Sequence, residues 1–354
     1  MKYLVYIAPG IGDFMIAMRL LYAIKKERPE SVIDILICAT DKSRVSPIKE
    51  LIALQTVVRN CYYYSAKEPV HSLMTLFRLR GQGYDTGIVL EPSVTEFLSA
   101  WPGRICNMVA EYTVGPETLY QTGMYSVCVP RAIEQDVYTH VEHLCEAVGL
   151  RNYKEAMEDF SFAISTDVLY RYPLMTERGG KIGICLGAGP TDANESVMRR
   201  KKAWPLESWS RLSSALSEDG YKIFIFGGRA ENDLCRYYGI DFGEDCVNFV
   251  GNQTLEETLF SLRMMNLVIG GDTGMLHAAA IQNVATLQLF GCSDPEKLAP
   301  PGPCNFYIKS EAECSPCFGT ERMIMCEKNF CMDMIQVESV YRKAREILSR
   351  QIRI

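Results

Sequence analysis

The alternation of short apolar runs with segments of helical periodicity constrains this chain most, because it commits the fold to strands joined by helices. The first run, Tyr3 to Ala8, empties into Pro9-Gly10-Ile11-Gly12-Asp13. Ala17, Leu20, Leu21 and Ile24 then recur at helical spacing, which predicts a helix from Phe14 to about Arg28, with Pro29 as its stop. Val32 to Cys38 reads as the next strand. A strand, a helix and a strand in this order make a βαβ unit, and hence a parallel sheet with a right-handed crossover. Further strands read at Gly87–Leu90 and Ser126–Val129, with a helix from Thr139 to Val148. From Ser165 to Gly180 the pattern lapses, which reads as an interdomain connection. The rhythm restarts with a strand at Lys181–Leu186 and a helix at Leu206–Glu218, with Pro205 at its N1 position. Tyr221–Phe226, Val247–Val250, the run at Leu267 and Thr286–Phe290 read as strands, and Thr254-Leu255-Glu256-Glu257 as a capping box before a helix ending near Met265.

Length and composition narrow the class. A chain of 354 residues suggests two domains. With 48% hydrophobic and 23% charged residues it is ordinary for a soluble protein, and its net charge of −6 argues against a general nucleic-acid role. No apolar run approaches the ~18 residues of a membrane span, and Met1 to Pro9 reads as a strand and not as a secretion signal. The expected location is the cytoplasm, with at most peripheral membrane contact at its inner face.

The residues with chemistry gather at predicted strand ends. Leu267-Val268-Ile269 runs through Gly270-Gly271-Asp272-Thr273-Gly274 into a helix start at Met275. The free N–H groups and dipole of such a terminus form an anion site. Thr273 is expected to cap the helix through its hydroxyl, and His277 to sit one turn in, facing a ligand at that terminus. An ordinary capped turn fits the same letters. Upstream, the strand ending at Leu186 opens into Gly187-Ala188-Gly189 and a loop with Arg199, Arg200, Lys201 and Lys202. Cations directly before a helix start oppose its dipole, so they make sense if an anion such as a diphosphate binds nearby. Glu231 follows another strand end, Gly227-Gly228. In the first half, Asp13 reads either as an N-cap or as a carboxylate at the ligand-binding edge of a parallel sheet. The Gly10-x-Gly12 pair would need a third glycine where Met15 stands, so a dinucleotide fingerprint is not met.

Fourteen cysteines are present, and most, such as Cys38, Cys128 and Cys185, sit singly in apolar runs as small hydrophobes. Cys314-Ser315-Pro316-Cys317, with Cys326 and Cys331 close behind, differs. Four thiols at this spacing suit tetrahedral zinc or iron, or else pack as reduced thiols in a loop-rich segment.

With these residues in hand, the chain resembles glycosyltransferase family 9, the heptosyltransferases of lipopolysaccharide core assembly. The likeness rests on the Gly12-Asp13 loop and its helix, the Asp34 strand, His140-Val141-Glu142 to Leu150, Lys202-Ala203-Trp204-Pro205, and Phe226-Gly227-Gly228-x-x-Glu231. It continues through Asp272-Thr273-Gly274-x-x-His277-x-Ala279-Ala280, Phe290-Gly291-x-x-Asp294-Pro295 and Cys314-Ser315-Pro316-Cys317-Phe318. The loop between Gly187 and Lys202 is longer than the family's usual one, and Leu186 replaces a His or Pro. Lys202 and Lys201 therefore compete for one role, with Trp204-Pro205 as the anchor.

The resemblance implies an α/β GT-B fold, two Rossmann-like domains with parallel sheets facing a central cleft. Residues 1–165 would form the acceptor-binding domain and 166–335 the nucleotide-sugar domain with the cysteines. Residues 336–354 would form a helix packing back toward the first domain. It implies inverting transfer of a heptose or related sugar from an ADP-sugar donor to a lipopolysaccharide core or other surface glycan, with no cofactor required. Asp13 then resembles the general base, beside an acceptor-side loop with Gly10 and Gly12, and Lys202 the phosphate-binding lysine. Gly187, Ala188, Glu231, Asp272, Thr273, Gly274 and His277 resemble the donor site. A nucleotide-sugar epimerase or a protein glycosyltransferase of the same architecture is the alternative.

Overall fold

A computed structural model of the chain describes residues 1–39, 45–65, 67–90, 96–117, 125–130, 136–151, 153, 157, 160–172, 179–187 and 201–351. These fall into two compact units, Met1–Ala163 and Ile164–Ile354.

The first unit runs β1 (Lys2–Tyr6), α1 (Ile11–Glu27), β2 (Val32–Cys38), α2 (Ser46–Ala53), β3 (Asn60–Tyr64) and α3 (Pro69–Arg80). It closes with β4 (Tyr84–Val89), α4 (Glu96–Val109), β5 (Ala110–Glu117), β6 (Val127–Pro130) and α5 (Val137–Ala147). Its strands form one parallel sheet in the order β3-β2-β1-β4-β5-β6. The order reverses between β1 and β4, which opens a crevice at the carboxyl ends of those strands. Leu4, Tyr6, Leu36 and Val89 pack with Leu79, Ile105 and Cys106 into one apolar layer. Asp34 is the one charge of β2 and is fully buried. Arg59 Nε and Nη2 donate to its two oxygens at 3.0 and 2.5 Å, and the Tyr84 hydroxyl donates at 2.6 Å, so the charge is paired and hydrogen-bonded as burial demands. Burial and that bond to Asp34 push the Tyr84 phenol well above its usual range.

The second unit runs α6 (Thr166–Arg171), β7 (Lys181–Cys185), α7 (Leu206–Glu218), β8 (Lys222–Phe226), α8 (Arg229–Tyr238), β9 (Cys246–Asn248), α9 (Leu255–Arg263), β10 (Leu267–Gly271) and α10 (Gly274–Ile281). It closes with β11 (Ala285–Phe290), α11 (Pro295–Leu298), β12 (Asn305–Lys309), α12 (Glu321–Met325), α13 (Phe330–Asp333) and α14 (Val337–Gln351). Its parallel sheet, β12-β11-β10-β7-β8-β9, repeats the strand order of the first unit, with the reversal between β7 and β10. Alternate residues serve opposite faces, as a strand's period of two requires. Ile182, Ile184, Ile223, Ile225, Leu267 and Ile269 pack with Trp209, Leu212 and Leu216 of α7 on one face. Cys185, Phe224, Phe226 and Val268 pack with Phe260, Leu262 and Leu276 on the other.

Several sequence expectations need correction. The stretch read as a connection, 165–180, contains α6, which belongs to the second unit. Val168 is buried there, and Arg171 bonds Glu257 at 2.7 Å. Pro205 is the N-cap of α7 and not its N1 residue. Val340, Ala344, Ile347 and Leu348 of α14 complete the core of the second unit beside Trp209.

Candidate functional site

Each sheet presents its candidate residues at the point where strand order reverses. In the first unit β1 ends and Gly10, in extended conformation, becomes the N-cap of α1. Asp13 is therefore not the cap. It lies in the first turn, and the helix begins at Ile11 and not at Phe14. A Cβ on Gly10 would collide with the Asp13 carboxylate, so glycine is needed for that side chain to fold back over the loop. Gly12 stands between them in the same turn. The structure thus brings Gly10, Gly12 and Asp13 together at the carboxyl end of β1, with the carboxylate on the positive end of the helix dipole.

In the second unit Asp272 follows β10, and the carboxyl ends of β7 beside it and of β8 beyond lie along the same sheet edge. Lys202 Nζ meets Asp272 Oδ2 at 2.5 Å, with side-chain exposures of 14% and 9%. Its ammonium also lies 3.9 Å from the centre of the Phe318 ring. Burial disfavours the Asp272 carboxylate, but the charge and hydrogen bond of Lys202 outweigh it and hold the carboxyl below its usual range. Burial also pushes the His277 imidazole down to about 4, against the attraction of Asp272 and with the repulsion of Lys202. His277 is accordingly neutral at pH 7. Thr273 is the N-cap of α10, in extended conformation, but its hydroxyl makes no capping bond, contrary to expectation. Gly274 opens the helix with no side chain over its N–H groups.

Glu231 reaches the same edge from α8. Its Oε2 accepts from the Gly228 N–H at 2.8 Å and closes the first turn of its own helix. A Cβ on Gly187 would stand 2.5 Å from Glu231 Oε1, so the end of β7 and this carboxylate touch only because residue 187 is glycine. Ala188, Arg199 and Arg200 lie outside the described residues.

The two lysines that compete for one role take different surroundings. Lys202 is the one at Asp272. Lys201 points away, and its buried ammonium donates to the carbonyls of Met323, Ile324 and Cys326. The next two residues are fastened to the same stretch of chain. Asn329 Nδ2 donates to the Ala203 carbonyl at 3.0 Å, and Trp204 Nε1 donates to the Ile335 carbonyl at 2.9 Å. Residues 201–204 are thus each held by the cysteine-rich segment.

That segment surrounds a cavity of about 310 Å³ lined by Cys314, Cys317, Cys326 and Cys331, and also by Cys292, which the spacing did not single out. Burial raises the Cys317 thiol and lifts those of Cys292 and Cys331 to about 11 and about 12, so these three are protonated thiols. The Cys292 carbonyl accepts from the N–H groups of Cys317 and Phe318 at 2.8 and 2.9 Å, which ties the knuckle to the end of β11. Among the described residues no three His, Cys, Asp or Glu side chains are disposed to hold a metal ion. The expected tetrahedral set therefore shares a cavity without being drawn around a centre.

Two parallel doubly wound sheets, each with its polar residues at the reversal point, are the architecture of the GT-B glycosyltransferases. The profile of glycosyltransferase family 9 (heptosyltransferase) matches residues 76–326. The chain belongs to that family and is a glycosyltransferase. It is 22% identical over 320 residues to lipopolysaccharide heptosyltransferase 2 of Escherichia coli K12, covering 85% of each chain. Among solved structures, the family 9 glycosyltransferase of Veillonella parvula matches with a TM-score of 0.75 at 17% identity, covering 99% of this chain and 97% of that one. The E. coli ADP-heptose lipopolysaccharide heptosyltransferase II structure matches with a TM-score of 0.68 at 19% identity, covering 99% of both. The iron-containing dodecameric glycosyltransferase TibC of enterotoxigenic E. coli matches at 0.53 and 13% identity, covering 99% of this chain and 76% of that one.

Proposed function

We propose that the enzyme moves a heptose from an ADP-heptose donor to a lipopolysaccharide core acceptor with inversion at the anomeric carbon. The observation that carries this reading is Lys202, paired with Asp272 beside the open N-terminus of α10. A half-buried ammonium, a helix terminus and a glycine with no side chain over it suit a diphosphate, whose negative charge grows as the sugar leaves. In this reading the diphosphate takes over part of the Lys202 interaction that Asp272 holds in its absence. The Gly187 and Glu231 edge takes the adenosine part. Asp13 removes the proton from the acceptor hydroxyl as its oxygen bonds to the anomeric carbon and the bond to the diphosphate breaks. The charge on the leaving group is met by Lys202 and the α10 terminus, so no cofactor is needed for the transfer step.

Asp13→Asn tests the base. Transfer should fall by about 10²–10⁴-fold while ADP binding, read by calorimetry, is unchanged. Lys202→Ala should lower turnover by about 10²–10³-fold. Full turnover in Asp13→Asn removes Asp13 from the mechanism. Consumption of donor without any acceptor would favour an epimerase.

Zinc or iron at Cys314, Cys317, Cys326 and Cys331 belongs to the same proposal as a structural centre, supported by the shared cavity and by the iron named for TibC. An ion there would have to draw the thiols together. Metal analysis of the purified protein decides it, and a metal-free, fully active preparation would end it. In this reading the enzyme works in the cytoplasm, against the inner membrane face that carries its lipid-linked acceptor. Among the described residues no helix is long and apolar enough to cross a membrane.

A further inference from the structure

Helix α3 is apolar on its outer side as well as at its contact with the core. Its buried residues are Ser72, Thr75 and Leu79. Its large apolar side chains face water: Val70 is 73% exposed, Leu73 55%, Met74 52% and Phe77 69%. They occupy positions i, i+3, i+4 and i+7 and so form one continuous stripe along the helix. The inward serine is satisfied locally. Ser72 Oγ donates to the Ser65 carbonyl at 2.6 Å and accepts from the Ser65 N–H at 3.0 Å, which anchors the helix to the end of β3. The helix is therefore seated by Ser72, Thr75 and Leu79, with Leu76 partly buried beside them, and its outward stripe lies on the opposite side, away from that core. Contiguous exposed apolar surface of this kind marks an interaction site.

The surroundings of the stripe identify the partner. Lys67, Arg78 and Arg80 are exposed at its two ends, against one carboxylate, the half-exposed N-cap Glu68, so the segment from Lys67 to Arg80 is net positive. The chain as a whole carries a net charge of −6. A cation-flanked apolar stripe on an otherwise acidic protein is complementary to a surface that is greasy within and negative outside. We propose that α3 is a membrane-docking helix. It would lie in the plane of an anionic lipid surface with Val70, Leu73, Met74 and Phe77 inserted among the acyl chains and Lys67, Arg78 and Arg80 among the headgroups. A second copy of the chain is the weaker occupant, because packing this face on itself brings together two net-positive segments, with Glu68 the one carboxylate each contributes. The inference goes beyond the transfer reaction. It gives that reading a means of reaching a lipid-anchored acceptor, but its test reads lipid binding and not turnover, so either can fail alone.

The test is co-sedimentation of the full-length protein with vesicles of phosphatidylcholine mixed with phosphatidylglycerol, and with vesicles of phosphatidylcholine alone. The wild type should pellet with the anionic vesicles, and less well as salt is raised. The Leu73→Ser/Phe77→Ser variant should bind at least about tenfold more weakly, since it removes two large inserted side chains. Arg78→Gln/Arg80→Gln should weaken binding to the anionic vesicles by roughly fivefold for each cation removed, with little change on neutral ones. All four positions are exposed, and thermal melts should be unchanged. Failure of the wild type to bind anionic vesicles, or equal binding by the Leu73→Ser/Phe77→Ser variant, overturns the proposal. So does a wild-type dimer in light scattering that the same variant dissolves, since the face would then belong to a second copy.

Discussion

Asp272 and His277 are both buried, and burial disfavours the charged form of each. Asp272 keeps its charge because Lys202 is beside it, whereas His277 gives its charge up. The imidazole binds its proton less readily in the folded chain, at about 4, than in the unfolded chain at about 6.5. The unfolded state therefore gains protons first as pH falls, so stability is full above about pH 6.5 and declines between there and about pH 4. The loss is on the order of 3 kcal/mol. Asp272 adds a separate loss further into acid, as pH falls through its lowered value. Urea midpoints measured against pH should show the first limb, and His277→Gln should flatten it. A limb unchanged in His277→Gln would mean that another group titrates there. Lys202 was legible as a candidate because Trp204-Pro205 fixed its place in the motif. Its pairing with Asp272 was not, since the two are far apart in the chain and meet only through the sheet. Thr273 was correctly placed at the helix start, but its hydroxyl role was not, because a threonine at an N-cap need not turn its side chain toward the helix.

The cysteine-rich segment acts as a mount for Lys202. Residues 201–204 are tied to it one after another, and Phe318, itself fixed through the Cys292 carbonyl, lies against the Lys202 ammonium. A cation held against an aromatic face in a partly desolvated site is stabilised by about 0.5–2 kcal/mol. Phe318→Leu should thus lower kcat by about five- to tenfold with little change in the donor KM, and Phe318→Tyr should restore most of it. Unchanged kcat in Phe318→Leu would reduce the ring to packing. At this scale the long periodic segments were readable: β2, α7 and the Thr254–Glu257 capping box stand where periodicity and cap chemistry put them. The six-residue α6 was not, because so short a helix is made by its contacts with α9 and not by its own preferences. The start of α1 was set too late because Gly10, and not Asp13, ends the loop. Nothing in the apolar face of α14 says which unit it will cover, and Cys292 carries no local signal that it lies beside the knuckle.

The strand-helix rhythm made the α/β class legible over the whole molecule, and its restart at Lys181 made two units legible. The order of strands follows from which helices cover which face, and it required the structure. Two sheets with the same order place a crevice at equivalent points, one with Asp13 and one with Lys202 and Asp272. If the second is the nucleotide side, ADP alone should slow backbone hydrogen exchange at Gly271–His277 and Gly228–Glu231 and leave Ile11–Phe14 unchanged. Protection of Ile11–Phe14 by ADP alone would take Asp13 off the acceptor side.

The contact between Gly187 and Glu231 carries a further consequence. No methyl group fits at residue 187 while the Glu231 carboxylate keeps its place against it. Position 231 is free to shorten opposite a glycine, whereas Gly187→Ala should push the carboxylate off the Gly228 N–H and speed hydrogen exchange at that amide.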